Sequence, residues 1–110
     1  MSKLDTCWKN CLRMCKWIAE NYTDGDEVCE LKDQWLRDNG FRKVALNCFF
    51  CHYDRDERIA GERICKHCPG VLVDSKFHCN DIAYDYTYSP NEFYAKLLQL
   101  NAKRLKAGGQ

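Results

Sequence analysis

Asn47-Cys-Phe-Phe-Cys-His-Tyr-Asp-Arg-Asp-Glu-Arg-Ile-Ala-Gly-Glu-Arg-Ile-Cys-Lys-His-Cys-Pro-Gly70 is the stretch on which the fold turns. It holds two Cys-x-x-Cys pairs, Cys48/Cys51 and Cys65/Cys68, with 13 residues between Cys51 and Cys65. Such a turn places two sulfurs on one side of a tight backbone loop, half of the tetrahedron that a structural Zn²⁺ takes at ~2.3 Å per thiolate. Two turns supply all four corners, and Pro69-Gly70 suits a sharp bend after Cys68. The spacing predicts one Zn²⁺ held by Cys48, Cys51, Cys65 and Cys68. Cys79, eleven residues past Cys68, is the alternative ligand, or a hydrogen-bond donor to a metal-bound sulfur. A redox dithiol at Cys48/Cys51 competes, but it leaves the second pair unexplained, and Phe49-Phe50 brings it no activating neighbour. His52, His67 and His78 stand beside cysteines and read as partly exposed polar rings rather than ligands.

Upstream, Leu4, Trp8, Cys11, Cys15 and Ile18 recur at three- and four-residue steps, which predicts an amphipathic helix over 4–22. Asn21 to Gly25 is a turn, and Asp24 with Glu27 three places on is a cap for a second helix bearing Val28, Leu31, Trp35 and Leu36 and ending at Asn39-Gly40. A short turn between two helices predicts an antiparallel hairpin. Cys7, Cys11 and Cys15 form a stripe on the first helix, with Cys29 on the second. Cys7 and Cys15 lie ~12 Å apart along the axis and cannot share an ion, so buried thiols are preferred to a second site.

Downstream of Gly40, Val44 to Leu46 and Val71 to Val73 read as short strands, and Tyr53 to Arg63 as a charged, solvated loop. Ile82, Tyr84, Tyr86 and Tyr88 alternate with small or polar residues, a period of two that predicts an extended segment. Ser89-Pro90-Asn91-Glu92 opens a last helix that runs to about Lys106, with Phe93, Tyr94, Leu97, Leu98 and Leu105 available to pack.

The 110 residues carry 17 basic and 16 acidic side chains, a net charge of +1, and nine cysteines. A balance this even argues against binding through phosphate neutralisation alone. No apolar run approaches the ~18–20 residues of a bilayer span, and Met1 to Thr6 lacks a signal-peptide layout, so a cytoplasmic protein without a membrane partner is expected. There the odd count of thiols points to metal ligands and buried small side chains rather than disulfides. Catalytic signatures fail: no His-x-Glu, no His-Glu-x-x-His and no glycine-rich phosphate loop occurs. A four-thiolate zinc has no open position, so its expected role is to build shape.

Asn10-Cys-Leu-Arg-Met-Cys-Lys-Trp-Ile-Ala19, Leu31-Lys-Asp-Gln-Trp-Leu36, the two cysteine pairs, Phe77-His-Cys79 and Ser89-Pro-Asn-Glu-Phe-Tyr94 together resemble small cysteine-rich, zinc-ribbon-like accessory proteins of tailed bacteriophages. The resemblance implies a phage protein at work in the bacterial host cytoplasm and brings no catalytic residues with it. The expectation is one zinc-stabilised α+β domain over 1–110. It comprises a helical hairpin (1–40), a zinc-ribbon or zinc-knuckle unit with short strands (41–88), a C-terminal helix (89–106) and a frayed tail (107–110). The expected function is non-enzymatic: a protein-interaction module that binds or inhibits a host factor or meets a phage protein. A nucleic-acid-binding zinc protein is the alternative, and a metal-dependent enzyme the third reading.

Overall fold

A computed structural model describes residues 2–23, 25–41, 48–79, 84–85 and 89–108. Ser2 opens the chain's first helix: its Oγ accepts the Asp5 N–H at 3.0 Å, satisfying one of the amides that a helix start leaves unpaired. This helix, α1 (Lys3–Asn21), buries Cys7, Trp8, Cys11, Met14, Cys15 and Ile18 along one stripe. The following turn closes through Asp26, whose Oδ2 accepts from the Thr23 N–H at 2.9 Å and the Thr23 hydroxyl at 2.8 Å. The expected cap residue Asp24 lies outside the described residues, and α2 (Val28–Asp38) begins after Glu27 without a side-chain cap.

The two helices run antiparallel. Ile18 and Val28 line one small cavity, while Arg13 reaches Asn39 at 3.4 Å and lies over the Trp35 ring at the other end. Phe41 stacks on Trp35 with centroids 5.6 Å apart.

Three further helices complete the described structure: α3 (Phe49–Glu57), α4 (Pro69–Val73) and α5 (Pro90–Gly108). α5 opens at Pro90, where proline lacks only an N–H that the first turn leaves unbonded anyway. Its Phe93, Leu97 and Leu100 are buried, Leu97 completely. Leu98 and Leu105 remain exposed, because they lie off the face that meets α1. α5 is antiparallel to α1. Pro90 and Phe93 stand beside Ile18, whereas Arg104 reaches Asp5 at 2.6 Å and covers the Trp8 ring. α1 is therefore the central rod, with α2, α3 and α5 packed around it.

The α+β expectation is overturned: the described residues are two-thirds helix and contain no strand. Val71 to Val73, expected as a strand, are the second half of α4. Their β-branched preference loses to Pro69 at the first helical position and to the Phe77 ring seated on Gly70. A Cβ on Gly70 would lie 2.5 Å from Phe77 Cδ2, so this glycine is needed for a close approach and not only for a bend. Tyr53 to Glu57, expected as loop, belong to α3. Of the expected extended segment only Tyr84 and Asp85 are described, and neither is in a strand. Residues 82–83, 86–88 and 44–46 lie outside the described residues.

Candidate metal centre

Aromatic side chains position the first cysteine pair. Phe49 meets Trp35 and Phe41 edge-on, and Phe50 meets Trp8 with centroids 4.8 Å apart. Both rings are buried, so the two residues between Cys48 and Cys51 anchor α3 in the core. Cys48 is the residue before the helix, in extended backbone, and its carbonyl accepts the first helical bond from the His52 N–H at 3.0 Å. Cys51 follows in the first turn, and the two sulfurs share a hydrogen bond.

The second pair is built differently. Cys68 N–H donates to the Cys65 carbonyl at 3.2 Å, and Cys68 then precedes α4. Cys65 has φ +74°, a left-handed conformation that costs a residue with a Cβ on the order of 1 kcal/mol. Asp54 holds it there. Its side chain is 4% exposed, and its two oxygens accept the Cys65 N–H at 3.1 Å and the His67 N–H at 2.7 Å. Arg58 Nε lies 3.1 Å from the same carboxylate, as an ion pair outside hydrogen-bond geometry. Asp54 of α3 thus bolts the second cysteine turn onto the helix that carries the first.

The four paired cysteines and Cys79 are brought into one region. The charges of Cys68 and Cys79 act on Cys51, and that of Cys48 acts on Cys65, Cys68 and Cys79. All nine cysteines are free thiols. Among the described residues no group of three or more Cys, His, Asp or Glu side chains is arranged so that it could hold a metal ion. The donor set suits zinc in its chemistry: soft thiolates from two turns, one of which is already biased to ionise.

That bias belongs to Cys48. The Cys51 S–H holds its thiol well below the ordinary value, helped by the Lys32 charge and by the Cys51 and Phe50 backbone N–H groups. Cys51, which gives the proton, is pushed up by that same hydrogen bond and by burial. Burial raises Cys68 to about 12 and raises Cys65 and Cys79. The activating lysine missing beside Phe49-Phe50 is therefore supplied by α2.

Several of the remaining candidates are otherwise engaged. His67 Nε2 lies 2.9 Å from Glu62 Oε1, and His52 Nε2 lies 3.3 Å from Asp56. Cys7 donates its S–H to the Phe49 carbonyl at 3.3 Å, and Cys11 shares a hydrogen bond with Cys15. Both are held up as thiols, Cys7 by burial and Cys11 first by that bond. Cys29 is exposed on α2.

Sequence reasoning takes Asp54, with Asp56 and Glu57, for an acidic cluster on a solvated loop, and it does not single out Lys32. A signal existed for each: Asp54 is four residues beyond Phe50, and Lys32 lies between Val28 and Trp35 at helical spacing. Between the cysteine pairs, Ile59 and Ile64 stand out at 72% and 73% exposure. No family model, curated protein or solved structure matches the chain. No helix among the described residues is long and apolar enough to cross a membrane.

Proposed function

We propose that this chain is a zinc-held, non-enzymatic protein-interaction module. The setting is the one implied by the phage resemblance: the bacterial cytoplasm, with a host factor or a phage protein as partner. Cys48, Cys51, Cys65 and Cys68 would hold the ion, with Cys79 as the alternative ligand, and the metal would supply a rigid joint between α3 and the turn before α4.

One observation carries the interaction reading. The segment between the cysteine pairs projects two isoleucines almost fully into solvent from a backbone that is tied down on both sides. Arg58 pairs with Asp54, and Glu62 accepts the Ile59 N–H at 2.8 Å while meeting Lys66 at 2.8 Å and His67 at 2.9 Å. Large apolar side chains held out on a pinned turn lose little entropy on docking, which favours a protein partner. Nucleic-acid binding finds less support. Tyr84 is stacked on Phe77 with Lys96 Nζ 5.2 Å from the centre of its ring, and Arg104 is held by Asp5.

Elemental analysis of the purified chain should give one zinc per molecule, lost in Cys68→Ser. A zinc-free chain carrying a Cys48–Cys51 disulfide would overturn the metal reading in favour of a redox dithiol. The wild-type chain should retain from bacterial lysate a protein that the Ile59→Asp/Ile64→Asp variant loses at equal zinc content and helicity. Equal retention by both chains, or sub-micromolar oligonucleotide binding at physiological salt, would refute the interaction surface.

A further inference from the structure

The last helix is apolar on two faces, and the fold uses one of them. Phe93, Leu97 and Leu100 of α5 are buried on the side that packs into the core. At ~100° per residue, Ala95, Leu98, Ala102 and Leu105 fall in one stripe on nearly the opposite side of the helix. All four are exposed, Leu98 at 45% and Leu105 at 53%. They recur at steps of three, four and three residues, the spacing by which one helix seats its side chains against another. An isolated exposed leucine is ordinary, but here two share a helix face with alanines that let a second backbone come close. The order of residues around Leu100 makes this stripe complementary to itself. Leu98 and Ala102 lie two residues to either side of Leu100, and Ala95 and Leu105 five residues. A second α5 laid antiparallel across the stripe, with a twofold axis at the level of Leu100, sets Leu98 against the partner's Ala102 and Leu105 against the partner's Ala95. A parallel pair would set leucine against leucine and leave gaps between the alanines. Charge follows the same symmetry. Glu92, Gln99 and Lys106, all exposed, are spaced by seven residues along one flank of the stripe. The twofold axis brings that flank against the same flank of the second copy. Glu92 then stands about 3 Å along the axis from the partner's Lys106, so a Glu–Lys pair closes each end of the contact. Neither side chain has an ion-pair partner among the described residues.

We propose that this outer face of α5 is the contact through which two copies of the chain associate, α5 antiparallel on α5. The inference needs neither the zinc nor the Ile59/Ile64 surface. Burying Leu98 and Leu105 against alanines takes apolar area out of water and supplies the affinity. The Glu92–Lys106 pairs add little affinity but fix the direction and register of the two helices. A single helix pair is a small interface, at the low end of specific ones at about 1,000 Å² in total, so dissociation in the micromolar range is expected. A dimer also presents the turn of Ile59 and Ile64 twice, which favours a partner with repeated sites.

Sedimentation equilibrium of the full chain from about 1 µM to about 1 mM reads the association directly. The wild type is expected to form a dimer with a Kd of about 10–100 µM and no larger species, because an isologous contact closes on itself. Leu98→Asp should weaken the dimer about 100-fold or more, since the carboxylate would be buried unpaired at the centre of the contact. Lys106→Glu should weaken it about 3- to 10-fold, and Glu92→Lys/Lys106→Glu should return to within about threefold of wild type. Ile59→Asp/Ile64→Asp should leave the constant unchanged. A wild type still monomeric at about 1 mM would overturn the proposal and leave the face to a different partner. So would a dimer that survives Leu98→Asp, a dimer lost in Ile59→Asp/Ile64→Asp, or a double charge variant no stronger than Lys106→Glu alone. Leu98 is exposed, so its replacement should leave the circular dichroism of the chain unchanged. If that variant unfolds, Leu105→Asp, nearer the chain end, takes its place. Unfolding of both refutes the proposal, because the face would then belong to the core.

Discussion

Replacing Asp54 by alanine should unfasten the second cysteine turn while leaving every sulfur in the chain. The carboxylate accepts two backbone N–H groups, from Cys65 at 3.1 Å and His67 at 2.7 Å, and its side chain is 4% exposed. A hydrogen bond to a charged, buried acceptor contributes about 1.5–3 kcal/mol, so the two are worth about 3–6 kcal/mol gross. Arg58 loses its partner too, but at 26% exposure its charge can reach water, so little is added for that pair. Cys65 would also be free to leave φ +74°, which returns some strain energy. The net expectation is a loss of about 3–4 kcal/mol, a large share of the roughly 5–15 kcal/mol that holds a domain folded. With a slope of about 2 kcal/mol per molar urea, the unfolding midpoint of the zinc-loaded chain should fall by about 1.5–2 M. Asp54→Asn keeps one acceptor oxygen and should lose about half as much. Amide exchange supplies the local check, with protection lost first at Cys65 and His67. A midpoint within about 0.3 M of wild type, with those amides still protected, would refute the view that Asp54 joins the two cysteine pairs.

Gly70→Ala should cost about 1–3 kcal/mol in thermal unfolding, because its new methyl would lie 2.5 Å from the Phe77 ring. Phe77→Leu in the same chain should recover part of that loss, and additive losses would show that the clash is elsewhere. Glu62 gives a pH signature. Lys66 first, then the Ile59 N–H and His67, lower its carboxyl from the ordinary 4.5 to about 2. A carboxyl lowered in the folded state adds stability that is full above pH 4.5 and lost as pH falls toward 2. Protection of the Ile59 amide, taken relative to its intrinsic exchange rate at each pH, should therefore fall over that window in wild type but not in Glu62→Gln, and identical profiles would exclude Glu62 as the cause. Cys7→Ala should cost only about 1–2 kcal/mol and leave zinc content unchanged, since Cys7 fills space and bonds the Phe49 carbonyl. Loss of zinc in that variant would place a ligand on α1.

What could be read from the chain alone was whatever depends on neighbours three or four residues away. The buried stripe of α1, the proline start of α5 and the end of α2 at Asn39-Gly40 are of this kind, because helical hydrogen bonds and caps are local chemistry. The pairing of Cys48 with Cys51 and of Cys65 with Cys68 is equally local, since a tight turn requires only the intervening two residues. Tertiary structure decided the rest. Asp54 looked like part of a solvated charged run because its partners, the Cys65 and His67 amides, arrive from 11 and 13 residues downstream. Lys32 interrupted an apolar face for no reason visible in α2; its burial at 3% exposure comes from the neighbours that other elements bring, Cys15 and Ile18 of α1 and Pro90 and Phe93 of α5. Val71 to Val73 carried the composition of a strand, but they form a short helix behind Pro69, with the Phe77 ring folded back onto Gly70. Backbone preferences of a few tenths of a kcal/mol per residue yield where a buried carboxylate or a tightly packed ring contributes several.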